Sequence, residues 1–407
     1  MVNGQNKSES NVQRSVAWVL IIGIIFVAMN LRAPLTSVGS LIGFIRDDLQ
    51  ISNTLAGMIT TLPLLAFAFF SPIVPKLARR FGIEVVIFVS IVFLMLGIAL
   101  RSLSGIVTLY IGTVILGLAI AVANVLLPSL IKREFPTRMG LMTGMYSISM
   151  NLLGAIASGI SVPIAIGLGF GWQGALGIWG ILSFVSILFW LPQMKRRKRE
   201  VVFAQKQTTV STPVTLWRSG LAWQVTLFMG LQSLVFYVLI TWLPEILKHQ
   251  GLGVDESGWL LSLMQLALLP FTFIVPILAG QMSSQRSLVT VTTILYLIGI
   301  FGLLYGSVNF IVFWIILLGI GVGSAFSLAM MFFGLRTENA QQAAELSGMA
   351  QSIGYLLAAI GPTLFGYLYD ITNSWTIPLL TLVGVSILIF LFGLGAAGNR
   401  YVQVNKS

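Results

Sequence analysis

An arginine lies near the middle of a long apolar stretch, where a charged side chain is rare. Arg32 stands at the centre of residues 16–45, which otherwise have the composition of a membrane-spanning helix. A charge at that depth costs about 2.5–3.5 kcal/mol on insertion scales, so it usually faces a water-filled cavity or a partner. A guanidinium offers a planar fork of N–H donors that suits oxyanions and other strong acceptors. The residue type and its position therefore favour a site for an anionic or polar ligand. Packing against helix carbonyls is the alternative role.

Further polar and aromatic side chains lie near the middle of other apolar runs. Thr36 is four residues from Arg32, so the two share one helix face, whereas Asn30 is offset around the helix. With Arg32, the candidate ligand-binding residues are Asn30, Thr36, Asn124, Tyr146, Asn151, Gln232, Tyr237, Trp242, Gln265, Gln351 and Tyr355. The amides and phenols would hydrogen-bond a ligand, and Tyr237, Trp242 and Tyr355 would stack on it. Each polar residue has an alternative role in bonding one helix to another, and each aromatic residue has one in packing.

The composition is that of a membrane protein. Of 407 residues, 57% are hydrophobic and 9% are charged, whereas soluble domains have about 45–50% apolar and about 25% charged residues. The net charge of +11 would suit nucleic acid, but the cations lie in short loops between apolar runs, as in membrane proteins. We therefore expect a lipid bilayer around the chain and no nucleic-acid partner. The chain has no cysteine and one histidine, His249, so we expect no metal site and no cofactor.

Apolar runs of about the 20 residues needed to cross a bilayer recur along the whole chain. The predicted fold class is all-α, a polytopic membrane protein of twelve helices in two pseudo-repeated six-helix bundles. The predicted spans are 16–45, 53–78, 84–103, 106–132, 139–168, 172–192, 221–247, 256–280, 287–307, 309–335, 342–369 and 375–397. The predicted divisions are an N-terminal tail at 1–15, a first bundle at 16–192, a basic linker at 193–220, a second bundle at 221–397 and a C-terminal tail at 398–407.

The distribution of basic residues predicts the orientation. With the N-terminus in the cytoplasm, 19 of the 23 Lys and Arg residues fall on the cytoplasmic side, three fall outside and Arg32 is left within the membrane. Such an excess is the usual sign of the cytoplasmic side. The chain is therefore expected in the plasma membrane with both termini cytoplasmic, which agrees with an even number of spans.

Every other Lys, Arg, Asp and Glu can be placed at or near a membrane surface, so the sequence predicts a chain organised around a single buried positive charge, Arg32. No carboxylate falls near the middle of a predicted span. The lack of a buried carboxylate also leaves the energy coupling open. Facilitated diffusion, exchange and proton coupling through an ionisable substrate all remain compatible with the sequence.

The two halves of the chain resemble each other. Residues 73–75 and 274–276 both read Ile-Val-Pro, and Gly-Met recurs at 144–145 and 348–349. The matches stay in register, at offsets of 201 to 204 residues, across several predicted helices. Parallel repeats of six helices are one of the transporter architectures, with the substrate site near the bilayer midplane.

Twelve spans, a basic linker after the sixth and a short basic loop after the second resemble the major facilitator superfamily. Its loop signature contains a Gly, an Asp, an Arg and a second Gly followed by basic residues. Arg80 and Gly82 match that signature, whereas Arg79 replaces the Asp and Glu84 occupies a basic position. The resemblance implies a cytoplasmic gate formed by Arg79, Arg80, Gly82 and Glu84, with the charge signs of Arg79 and Glu84 exchanged.

A narrower resemblance is to the branch with cyanate and 2-nitroimidazole transporters, and it rests on residues 30–39, 79–84 and 100–102. It implies a secondary active or facilitative transporter that moves a small anion or small polar heteroaromatic compound by alternating access. Arg32 would be the central binding residue, in a cavity lined chiefly by helices 1, 4, 7 and 10. The resemblance implies a monomer with no catalytic residues, so the chain is not expected to be an enzyme.

Two other functions are weighed against this one. A multidrug or toxic-compound exporter of the same fold would have a roomier, more aromatic cavity and would keep transporting uncharged substrates without Arg32. A membrane-embedded enzyme or sensor is a remote alternative. It would need a nucleophile, metal ligands or a signalling domain, and the sequence shows none of these.

Overall fold

A computed structural model describes residues 18–51, 53–204 and 216–402, without the side chains at 53–54, 195–204 and 254–255. The predicted N-terminal tail, most of the C-terminal tail and the middle of the predicted linker lie outside the described residues.

The described residues form helices joined by short turns, with no strand among them. Within a bilayer the backbone N–H and C=O groups must be paired inside the chain, and a helix pairs them within one segment. The helices are α1 (18–30), α2 (Ala33–Gly39), α3 (Ile42–Leu49), α4 (Asn53–Phe70), α5 (Val74–Phe81), α6 (Ile83–Arg101), α7 (Ile106–Glu134), α8 (Met139–Val162), α9 (Gly171–Gly177), α10 (Trp179–Ala204), α11 (Gly220–His249), α12 (Val254–Gln281), α13 (Arg286–Tyr305), α14 (Ile311–Leu335), α15 (Ala340–Thr372) and α16 (Thr376–Ala396).

Among the described residues, eleven helices are long and apolar enough to cross a membrane. The helices α4 and α5 are bent by 60° at the turn between them, and they count as a twelfth span if the pair is taken as one. The prediction of an all-α polytopic fold is therefore confirmed.

The chain packs as two compact units. The first unit comprises Met1–Pro63, Leu77–Leu127 and Ser149–Thr212, and the second comprises Leu64–Lys76, Pro128–Ile148 and Pro213–Ser407. Short segments of α4, α5, α7 and α8 thus pack with the second half of the sequence. The division into a first bundle at 16–192, a basic linker at 193–220 and a second bundle at 221–397 stays a prediction.

The first membrane-spanning segment is interrupted at its arginine. The helix α1 ends at Asn30, and α2 begins at Ala33 after a turn that contains Arg32. Pro34 has no N–H to donate to the carbonyl of Asn30, so the regular hydrogen-bond pattern cannot continue through this point. It resumes where the Thr36 N–H donates to the Arg32 carbonyl at 3.0 Å. The predicted continuous span therefore has a break that positions Arg32.

The bend between α4 and α5 also follows from proline. Pro72 cannot donate to the Ala68 carbonyl, and this carbonyl instead accepts from Ser352 Oγ at 2.5 Å in the second unit. Gly348 permits the close approach of α15, because a Cβ on it would lie 2.8 Å from the Ser71 carbonyl oxygen. A serine and a glycine on α15 thus accommodate the bent helix.

A cluster of buried apolar side chains packs several helices of the first unit together. Leu41, Ile45, Leu109 and Trp172 belong to a buried cluster that joins the α2–α3 turn, α3, α7 and α9. The Trp172 indole also donates to Asp48 Oδ2 at 2.8 Å. This packing holds α9 against α3.

The prediction of a single buried cation is wrong. Arg101 and Arg336 are 1% and 2% exposed, whereas Arg32 is only half-buried. Arg336 is enclosed by acceptors: its Nε donates to the Ala396 carbonyl at 2.6 Å, and its Nη2 donates to Gln285 Oε1. Both arginines end a helix in the sequence, where a solvated position is the ordinary expectation. Tertiary packing covers them.

Candidate ligand-binding site

Arg32 lies against α8 in the first unit. Its Nη1 donates to Asn151 Oδ1 at 2.9 Å, so two of the predicted ligand-binding residues are in direct contact. Asn151 is buried, and Arg32 retains partial exposure. Because the amide is a neutral acceptor, this hydrogen bond orients the guanidinium without cancelling its charge.

One turn along α8 from Asn151, a glycine leaves room for the aliphatic part of the Arg32 side chain. A Cβ on Gly154 would lie 2.8 Å from Arg32 Cγ and 3.2 Å from its Cβ. Thr36 Oγ1 donates to the Gly154 carbonyl at 2.7 Å and lies 3.2 Å from the Arg32 carbonyl. We refer to Arg32, Thr36, Asn151 and Gly154 as the Arg32 cluster. It brings together three predicted site residues and one that the sequence analysis missed.

The Arg32 cluster has the chemistry of an acceptor-binding site. An arginine side chain stays protonated in proteins and presents five N–H donors in a fixed fork. Its stem and one Nη are held by α8 through Gly154 and Asn151. The cluster can therefore present a positioned positive charge to a carboxylate, a nitro group or a small inorganic anion.

The side chain of Asn30 forms hydrogen bonds with α10 and not with the Arg32 cluster. It is fully buried, its Nδ2 donates to Ser186 Oγ at 2.7 Å, and its Oδ1 accepts from Ser183 Oγ at 2.7 Å. These contacts join α1 to α10. The structure therefore places Asn30 in an interhelical hydrogen-bond network, and we leave it out of the Arg32 cluster.

Replacement of Asn30 by Ala is expected to lower stability and leave ligand affinity unchanged. The change removes the acceptor of Ser183 and the donor of Ser186, and interhelical hydrogen bonds in membranes contribute about 0.6–2 kcal/mol. The measurement is the unfolding temperature alongside the transport KM. A raised KM at unchanged stability would instead place Asn30 at the ligand.

In the second unit, the two predicted glutamines on α11 and α15 bond within their own helices. Gln232 Nε2 donates to Ser233 Oγ at 2.8 Å, and Gln351 Nε2 donates to Ser347 Oγ at 2.8 Å. Both side chains are 1% exposed. The centre of the Tyr355 ring lies 4.8 Å from the centre of the Phe67 ring.

Trp242 fills the space beside a proline of α15. Its Nε1 donates to the Pro362 carbonyl at 2.8 Å, and its ring lies 5.4 Å from the Trp375 ring. A Cβ on Gly366 would lie 2.7 Å from the indole. These contacts are those of a packing residue.

The other predicted ligand-binding residues are distributed over both units. Tyr146 is buried in the second unit, where its hydroxyl lies 3.7 Å from Met330 Sδ. Asn124 is buried on α7 in the first unit, Tyr237 lies beside Phe236 on α11, and Gln265 is half-buried on α12. Their role in ligand binding stays a prediction.

The structure shows the local setting of three of the four predicted gate residues. Gly82 separates α5 from α6 with φ 84° and ψ 148°, a conformation that is essentially restricted to glycine. The carbonyl of Glu84 accepts from Trp190 Nε1 at 2.9 Å, which ties this turn to α10. The Arg80 guanidinium lies 5.2 Å from the centre of the Phe81 ring. The gating role of Arg79, Arg80, Gly82 and Glu84 stays a prediction.

The sequence analysis also missed a contact at the end of α7, inside the second unit. Lys132 Nζ donates to the Gly334 carbonyl at 2.6 Å and to the Thr337 carbonyl. Ser129 Oγ donates to the Ala340 carbonyl at 2.5 Å. Lysines commonly satisfy the unpaired carbonyls at helix C-termini. No local pattern distinguishes Lys132 from an ordinary loop cation, because its acceptors lie about 200 residues away.

Comparison with known proteins agrees with the fold and the arrangement of helices. The pattern of the Major Facilitator Superfamily matches residues 20–357 and again residues 225–403. The chain is 47% identical over 384 residues to the uncharacterized transporter YycB of Bacillus subtilis (strain 168), covering 94% of each chain. It is 40% identical over 390 residues to the 2-nitroimidazole transporter of Escherichia coli (strain K12), covering 95% of this chain and 97% of that one.

Two more distant proteins are also similar to this chain, one in sequence and one in structure. The cyanate transport protein CynX of Escherichia coli (strain K12) is 26% identical over 378 residues, covering 92% of this chain and 97% of that one. The solved structure of the proton:xylose symporter XylE bound to 6-bromo-6-deoxy-D-glucose aligns with a TM-score of 0.72 over 97% of this chain and 98% of that one. At 13% identity this second likeness shows the fold alone.

These relatives are transport proteins, so the prediction of a transporter and not an enzyme is confirmed. The helical architecture, the family pattern over most of the chain and the full-length relatives lead to one assignment: this chain belongs to the major facilitator superfamily of membrane transporters.

Proposed function

We propose that this transporter moves a small anion or a small polar heteroaromatic compound across the membrane by alternating access, as a secondary active or facilitative carrier. The observation that supports this most directly is the Arg32 guanidinium, set at the break in the first span and oriented by Asn151 at 2.9 Å. Arg32 is the central binding residue in this proposal.

The substrate class follows from what a guanidinium binds. Its planar N–H fork matches planar groups with several acceptor atoms, and such charge-assisted hydrogen bonds are about twice as strong as neutral ones. The named substrates of two relatives, 2-nitroimidazole and cyanate, are small and rich in acceptor atoms. Identities of 40% and 26% support a shared class of compound.

The other members of the Arg32 cluster prepare the arginine. Asn151 holds one Nη, and Thr36 bonds to the carbonyl of Gly154, whose bare Cα accommodates the arginine stem. A site whose polar groups are already oriented loses less free energy on binding than one that must order them.

The cellular setting is part of the proposal. The chain is a multi-pass membrane protein of a family that carries small molecules and typically works as a monomer. We place it in the plasma membrane with both termini cytoplasmic, on the distribution of its 23 Lys and Arg residues.

A thermal-shift screen of the purified protein tests the substrate class. Cyanate, nitrate, small carboxylates and nitroimidazoles are added to the wild type and to Arg32→Ala. A ligand that binds only the folded state stabilises it by about 2.7 kcal/mol at one hundred times its dissociation constant. We expect members of these classes to raise the unfolding temperature of the wild type and not of the variant.

Bulky neutral or cationic compounds serve as the comparison set. If they alone stabilise the protein, and do so equally in both forms, Arg32 has a structural role. The exporter function would then replace the proposed one.

A further inference from the structure

Another arginine of the first unit is buried, and two of its nitrogen atoms have no acceptor among the described residues. Arg101 is the last residue of α6 and is 1% exposed. Its Nε and Nη2 are both buried and form no hydrogen bond with any described residue. An isolated charge in such a place is strongly unfavourable, so buried charges are normally paired.

The two unpaired atoms form one edge of the guanidinium. The N–H of Nε and one N–H of Nη2 point in the same direction, so together they can bind one oxyanion or one halide. Arginine does not lose its proton in proteins. The unpaired edge therefore calls for an acceptor that the described residues do not supply.

The backbone at Arg101 is held by glycines. A Cβ on Gly112 of α7 would lie 2.4 Å from the Arg101 N and 2.7 Å from its Cβ. One turn earlier, a Cβ on Gly97 would lie 2.7 Å from the Leu116 N. The helices α6 and α7 thus cross in direct backbone contact, as small residues allow in membranes. This contact fixes the origin of the Arg101 side chain inside the unit.

A second donor without a partner occurs on the segment packed against this end of α6. The Trp179 Nε1, which can only donate, is buried and makes no hydrogen bond with a described residue. Trp179 lies between Gly177, which faces Ser102 across the contact, and Gly180, which faces Ile98. Both unsatisfied groups are donors, so each requires an acceptor and neither suits a cation.

We propose that Arg101 binds a small inorganic anion of halide size inside the first unit, at the end of α6 where α7 crosses it. The bound anion completes the pairing of the buried guanidinium and stabilises this end of the unit. The site is separate from the Arg32 cluster, which lies at the break between α1 and α2, and it does not rest on the proposed substrate class.

Thermal unfolding in matched salts tests the site. The full-length protein in detergent is unfolded at constant ionic strength while gluconate is replaced stepwise by chloride or by bromide. We expect the unfolding temperature of the wild type to rise by a few degrees and to saturate, as binding to the folded state requires. Arg101→Met keeps the length of the side chain without its charge and should lose this response.

Arg32→Met is the matched control, because it removes a different arginine of the same unit. The Arg32 cluster is itself proposed to bind small anions, so the comparison is made in this background: Arg32→Met should keep a saturable halide response, and the double variant Arg32→Met/Arg101→Met should lose it. This expectation holds whether or not the proposed substrate class is right, so the two proposals fail independently. An unfolding temperature that does not depend on the anion in the wild type, or an equal response in Arg101→Met, would overturn the Arg101 site.

A direct observation covers the case in which Arg101→Met does not fold. Crystals of the wild type grown in bromide should give an anomalous difference peak beside Nε and Nη2 of Arg101. A water molecule without anomalous signal at that edge would show that the guanidinium is hydrated and would refute the proposal.

Discussion

Arg32→Ala is expected to abolish transport of small anions and nitro compounds while the protein still inserts and folds. Truncation of one partner of a buried charged interaction costs about 2–5 kcal/mol, and 1.4 kcal/mol is a factor of ten. The apparent affinity should therefore fall by at least about thirtyfold. Uptake of a labelled substrate into proteoliposomes, at matched protein content, measures the loss.

Arg32→Lys should recover little of that activity. Lysine keeps the positive charge but replaces the planar fork with a compact ammonium that cannot bind a planar acceptor group through two parallel N–H donors. Arg286→Ala is the matched control, since Arg286 is exposed at the start of α13. Its transport should equal that of the wild type.

Transport by Arg32→Ala at the wild-type rate would contradict the proposed role. A different outcome would be that Arg32→Ala no longer transports anions but still exports bulky uncharged compounds. It would favour the exporter of the same fold, with Arg32 as one contact among many.

Gly154→Ala is expected to lower transport by about tenfold or more, although residue 154 itself presents no polar side chain to a ligand. The new methyl group would lie 2.8 Å from Arg32 Cγ and 3.4 Å from its Cδ, so the arginine stem must shift. That shift weakens the hydrogen bond to Asn151, and hydrogen bonds to charged groups contribute about 1.5–3 kcal/mol. The measurement is the transport KM and maximal rate in proteoliposomes.

The same helix supplies a control for this substitution. A Cβ on Gly159 would have no neighbour within 4 Å. Gly159→Ala therefore makes the same change in helix propensity on α8 without touching Arg32. If both variants transport equally well, contact between Gly154 and the arginine stem has no role in transport.

The sequence alone was sufficient for the fold class and the family. Lipid demands long apolar helices, so the spans can be read from the apolar runs. The 40% identical relative and the family pattern confirm the assignment made from the loop at 79–84 and the run at 30–39. Arg32 was also evident, because a charge deep in a span is rare and costly.

The partners of Arg32 were only partly predictable. Thr36 follows from helical periodicity on the same segment, whereas Asn151 was one of several mid-span amides. Gly154 carried no signal, since a glycine in a membrane helix usually serves close packing in general. Only the approach of α8 to the break at Arg32 distinguishes Gly154 from Gly159.

Tertiary structure alone decided which polar residues are engaged in packing and which cations are buried. Asn30 was predicted as a ligand-binding residue on the same span as Arg32, yet its hydrogen bonds run to Ser183 and Ser186, over 150 residues away. Arg101 and Arg336 were expected at the membrane surface because each ends a helix, yet both are covered by neighbouring helices. The period of a helix determines which residues share a face. The identity of the helix that meets that face depends on contacts between distant parts of the chain, and these leave no local pattern in the sequence.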